Sequence, residues 1–110
     1  MAPERFKEVH ERAQKRSTEV LQTKALQYSK WGNRLWNFET AGRMLDETPE
    51  RALWGMLIKH IVSITDMIDE LDQDQIPTRE WIDEKLGDFD NYGHLLEGLL
   101  VERLDDINQV

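Results

Sequence analysis

Residues 48–71 read TPERALWGMLIKHIVSITDMIDEL, and this stretch decides the fold class. Leu53, Leu57, Ile61, Ile64, Ile68 and Leu71 recur in steps of four, four, three, four and three, the spacing of one helix face. Thr48 is placed as an N-cap, Pro49 suits the first helical position, and Glu50 complements the positive end of the helix dipole. The spacing predicts a helix from Pro49 to about Leu71. Beside its apolar stripe stand His60 and a polar row of Lys59, Ser63, Asp66 and Glu70.

Working outward, the same period governs the rest. Pro3 suits a first turn, and Phe6, Val9, Ala13, Ser17, Val20 and Lys24 fall on one face of a helix reaching about Tyr28. Gly32 and Asn33 mark a break, and a short helix is expected over Trp36 to Leu45. Downstream, Asp72 to Pro77 reads as a turn. Thr78 caps a last helix from Arg79 to about Leu104, with Ile82, Leu86, Phe89, Leu96 and Leu100 as its core face and frayed residues after Asp105. The expected architecture is all-α: a small helical bundle of three long helices and one short one, in a single domain over residues 1–110 with its core at about 3–104.

Composition narrows the function classes. The 110 residues contain no cysteine, so disulfides, thiol redox chemistry and thiolate metal sites are excluded. No apolar run is long enough to span a membrane, and no apolar signal core follows Met1, so a cytoplasmic protein is expected. Residues 1–45 carry nine Lys/Arg against five Asp/Glu, whereas residues 46–110 carry five against seventeen. The whole chain has net charge −8, which argues against duplex DNA as a partner, since lysines and arginines must displace the counterions of its phosphates. Either the two halves neutralise each other, or the acidic half holds a divalent cation while basic groups meet a phosphate.

Three groups carry candidate chemistry. Tyr28, Trp31, Trp36 and Phe38 crowd near the break together with Lys30 and Arg34, a mixture that stacks on bases and contacts phosphates, or else plugs the end of the bundle. Lys24 extends an apolar stripe, where an ammonium must snorkel or find an anion. On the last helix Glu84 and Asp88, one turn apart, could ligate one hard cation through oxygen, with Asn91 and Tyr92 on the following turn. Gly87, Gly93 and Gly98 suit close approach by another helix, and the apolar and glycine-rich last two helices predict a homo-oligomer, most simply a dimer.

The order Lys24, Tyr28, Asn37-Phe38, Lys59-His60, Ser63-Ile64, Glu84-Lys85, Asp88 and Asn91-Tyr92 resembles small phage-encoded proteins of uncharacterised function. Those in turn are similar to the all-α nucleoside triphosphate pyrophosphohydrolase superfamily, typified by MazG and the dimeric dUTPases. The resemblance covers roughly residues 20 to 103. It implies a helical oligomer that binds Mg²⁺ through clustered carboxylates and cleaves a nucleotide between its α and β phosphates. On that basis Glu84 and Asp88 are the expected catalytic and metal-binding pair, with Asp66 and Glu70 as further metal ligands. Lys24, Tyr28, Trp31, Lys59, His60, Asn91 and Tyr92 are the expected ligand contacts. The superfamily's first glutamate cluster is not reproduced; Lys59-His60 stands near its place, so phosphate binding is better supported than catalysis. A phage protein would act in the host cytoplasm. Alternative readings are an acidic non-enzymatic protein that binds and inhibits a host defence protein, and an oligomeric sponge for a nucleotide signal.

Overall fold

In the computed structural model the chain is helical throughout and contains no β-strand among the described residues, which are 1–28, 30 and 32–109 with the side chains of 24–28 set aside. Helix α1 spans Pro3–Tyr28, α2 Trp36–Leu45, α3 Pro49–Asp69 and α4 Arg79–Asn108. The expected all-α architecture of three long helices and one short one is what forms. No described helix is long and apolar enough to cross a membrane.

Local chemistry sets the boundaries. The hydroxyl oxygens of Thr48 and Thr78 accept the backbone N–H groups of Arg51 and Trp81, each at 3.1 Å, satisfying donors that a helix start leaves free. Asp46 ends α2 in the left-handed region at φ 53°, and a 3-10 turn, Glu70–Gln73, tightens the end of α3 before Asp74 turns left-handed at φ 58°. Gly42 is required where the chain doubles back from α2 into α3. A Cβ there would lie 2.9 Å from the Glu47 carbonyl oxygen and 3.1 Å from the Pro49 nitrogen.

Helix α3 packs against both α2 and α4, Phe38 of α2 reaches Tyr92 of α4 by its side chain, and α1 lies along α4. The core is small: Phe38, Leu53 and Leu99 are buried together, with Leu35, Met56, Tyr92, Leu95 and Leu96 against them. The molecule is correspondingly elongated, 52 × 30 × 24 Å with a radius of gyration of 16.6 Å, where a compact domain of this length would have about 13 Å.

Several expected core positions are therefore corrected. Ile68 and Leu71 of the α3 stripe, Phe89 and Leu100 of the α4 stripe, and Phe6 of α1 are all exposed, because no element of this chain covers their faces. Helix α4 also continues in regular form to Asn108, past the expected fraying point. Two of the three α4 glycines are approached from within the chain: Gly87 by the Arg16 side chain and Gly98 by Leu35, whereas Gly93 faces open space.

Candidate functional site

The polar residues beside the α3 and α4 stripes meet at the corner where α2, α3 and α4 converge. On α4, Asp88 and Tyr92 are one turn apart and present the same face, so a single partner on α3 can touch both. His60 is that partner: its Nδ1 lies 3.5 Å from Asp88 Oδ2, and its ring is tilted over Tyr92 with centroids 4.9 Å apart. Phe38 of α2 meets the other side of the cluster, edge-on to Tyr92 at 6.0 Å. The three rings form a ladder from the core outward, Phe38 to Tyr92 to His60. Asn91 of α4 is buried at 4% exposure, the one buried polar residue among those described.

Around this ladder the remaining candidates scatter. Lys59 and Glu84 are exposed flanking residues, and Lys59 makes no ion pair among the described residues. Asp66 is exposed on α3, and Glu70 sits at the C-terminus of that helix, opening the 3-10 turn. Trp31 lies outside the described residues, as do the side chains of Lys24 and Tyr28. So the structure brings His60, Asp88 and Tyr92 together, buries Asn91 on the same helix, and does not gather Glu84, Asp66 and Glu70 around them. Among the described residues no three His, Asp or Glu side chains are disposed around one cation position. A resident Mg²⁺ needs several oxygen ligands at once, and the carboxylates of a single chain do not fit that demand.

Trp36 of the aromatic segment is flanked by cations, with Lys30 Nζ 5.4 Å and Arg43 Cζ 5.7 Å from its ring centroid. Phe38, from the same segment, is a core residue. The two readings of that segment thus divide between neighbours: Phe38 plugs the bundle, and Trp36 offers a cation-flanked face.

A second ionic centre joins α1 to α4 and was not singled out from sequence. Arg12 donates to both Asp83 oxygens, at 2.6 and 3.3 Å, and Arg16 spans Asp83 at 3.0 Å and Asp90 at 3.3 Å. Arg79 adds a third guanidinium at 3.3 Å. This concentration of positive charge, led by the Arg12 hydrogen bonds, holds the Asp83 carboxyl down to about 2. The legible signal was the spacing: arginines four apart on one helix face seven-apart aspartates on another. A groove of about 710 Å³ lies over this clasp. Its arginines already face carboxylates, Arg12 and Arg16 on Asp83 and Arg5 on Glu8. The clasp therefore serves first to fasten α1 to α4.

Compared with protein-family models, curated proteins and solved structures, the chain gives no match.

Proposed function

We propose that the protein binds a nucleotide at the α2–α3–α4 corner. The observation that supports this best is the ladder Phe38–Tyr92–His60, whose two outer rings, Tyr92 and His60, are half-buried beside Asp88 while Phe38 anchors them in the core. Ring faces of this kind stack on a base, and the Asp88 carboxylate can read its hydrogen-bonding edge. Lys59, adjoining His60 and bearing an unengaged ammonium on a long stem, supplies charge for a phosphate. The motif order, which resembles the phage relatives of the all-α pyrophosphohydrolases, points the same way.

In this reading the chain binds and does not hydrolyse. Cleavage of a phosphoanhydride needs metal ions held against the phosphates, and the described carboxylates do not gather to hold one. Mg²⁺ then travels with the phosphates of the nucleotide.

The test is a thermal-shift panel of ribo- and deoxynucleoside triphosphates, with and without Mg²⁺, alongside an assay for released phosphate and pyrophosphate. At least one nucleotide should raise Tm in a concentration-dependent way, as ligand linkage requires, with no release above background. Release that scales with protein would overturn the non-catalytic part. A panel with no shift at millimolar concentration would overturn the whole reading.

A further inference from the structure

An apolar face runs along α3 and α4 on the side away from α2, and no element of this chain covers it. Trp54, Ile58 and Val62 advance by fours along α3 from Glu50, and Glu50 is paired to Arg103 on α4. On α4 the neighbouring stripe carries Phe89, Leu100 and Ile107, the last one turn beyond Arg103. The Glu50–Arg103 pair thus sets the two stripes side by side. Trp54 is 44% exposed, Phe89 45% and Leu100 52%, far outside the range of residues that make a core.

The area involved matches a second copy. The chain exposes 8254 Å², whereas a compact monomer of 13.0 kDa exposes about 6,300 Å². The excess of about 1,900 Å², part of it contributed by the unburied α1, leaves room for an interface of the roughly 800 Å² per partner that a stable dimer needs.

The α4 stripe is also self-complementary. Phe89 and Leu100 stand equally far from the point between His94 and Leu95, and so do Ile82 and Ile107, and Gly93 and Leu96. Two antiparallel α4 helices related by a two-fold axis at that point would set Phe89 against Leu100, Ile82 against Ile107, and Leu96 into the gap left by Gly93. A Cβ on Gly93 meets nothing within 4 Å in the single chain, so this glycine has no packing reason inside the monomer. A small residue opposite a large one is how isologous helix faces interlock.

We infer that two copies join through this face, α4 on α4 about an axis between His94 and Leu95 with the α3 stripes alongside, forming a four-helix bundle at the centre of the dimer. The face is apolar and uncovered whether or not a ligand is bound, so the dimer forms without nucleotide. It therefore stands or falls separately from nucleotide binding.

Light scattering coupled to size exclusion, with no nucleotide present, should give twice the 13.0 kDa chain mass at micromolar concentration. Phe89→Glu and Leu100→Glu should each weaken the dimer at least a hundredfold and elute as monomers that stay helical by circular dichroism. Because such variants can also unfold, a second test uses the absence of native cysteine. The double variant Gly93→Cys/Leu96→Cys should form covalent dimers under mild oxidation, and the control Gln14→Cys/Thr18→Cys on α1 should not. A 13.0 kDa particle at 100 micromolar, or a dimer indifferent to the glutamates, or equal cross-linking in both cysteine pairs, overturns the inference.

Discussion

Arg12 grips Asp83 across the α1–α4 interface with both edges of the pair engaged, Nη2 to Oδ2 at 2.6 Å and Nε to Oδ1 at 3.3 Å. No described residue of α1 is buried, so this clasp, with Arg16 as its inner member, fastens a helix that has little apolar surface to fasten it. The Nε atoms of Arg16 and Arg79 are buried without hydrogen-bond partners, so Asp83 carries much of their compensation.

The first prediction follows from that dependence. Asp83→Asn should lower stability by about 2 kcal/mol, the scale for removing a charged partner, and chiefly loosen α1. Asp83 has its carboxyl pKa depressed to about 2, against an ordinary value of about 3.9, so its contribution is fully present above pH ~4 and is lost as pH falls through 2. Amide hydrogen exchange should show α1 losing protection before α3 on acidification, and the Asn variant should show that loss already at pH 7. Equal protection of the two helices at every pH would refute it.

The α3 stretch was legible because Thr48, Pro49 and a four-four-three stripe all act locally, and local physics fixes a helix and its start. Which stripe positions are buried was not legible. Ile68, Leu71, Phe89 and Leu100 follow the same period as Leu53 and Leu99, but burial depends on what stands opposite, and nothing in the period says that α1 packs along α4. The site divides in the same way. His60, Asp88 and Tyr92 were marked by their place beside the seams, which survives folding. The Glu84, Asp66 and Glu70 carboxylates needed a three-dimensional convergence that the helix phases do not produce. The Arg12–Asp83 clasp passed unnoticed because single ionic residues on a helix are ordinarily solvated.

A second prediction concerns Gly42, whose missing side chain lets the turn into α3 close against α2. Gly42→Ala would push a methyl group within 2.9 Å of the backbone at Glu47 and 3.1 Å at Pro49. Backbone gives way poorly, so the usual gain of about 1 kcal/mol for alanine over glycine in a helix should reverse into a net loss. Chemical denaturation should show a lower midpoint with an unchanged slope. A midpoint equal to or above that of the parent would show that the turn relaxes freely.

Asp88→Ala separates ligand binding from folding. Leu53 is the fully buried centre of the core, and Leu53→Ala should cost about 3 kcal/mol. Asp88 is itself partly exposed and faces His60 at 3.5 Å, so its removal should cost less than the core truncation while abolishing the nucleotide-induced rise in Tm. Both variants are measured by melting with and without nucleotide. If Asp88→Ala melts as low as Leu53→Ala and retains its nucleotide shift, the aspartate is structural and not a ligand contact.

The most discriminating substitution is at Lys59, next to His60 on α3 and exposed, with no ion pair among the described residues. An exposed lysine of this kind contributes little to folding, so Lys59→Met should melt within about 0.5 kcal/mol of the parent. If its ammonium meets a nucleotide phosphate, the same variant should lose affinity more than tenfold, because a phosphate oxygen then faces a methyl group in place of a charged donor. Lys59→Arg restores the charge with a planar fork on a different stem, and partial recovery is expected. The salt dependence supplies a further check: the parent should lose affinity as ionic strength rises, and Lys59→Met should lose much less. Titration of the three proteins with a nucleotide that stabilises the parent, at low and high salt, reads all of these together. Equal affinity in the parent and Lys59→Met would show a solvated lysine and place the phosphate elsewhere on the corner.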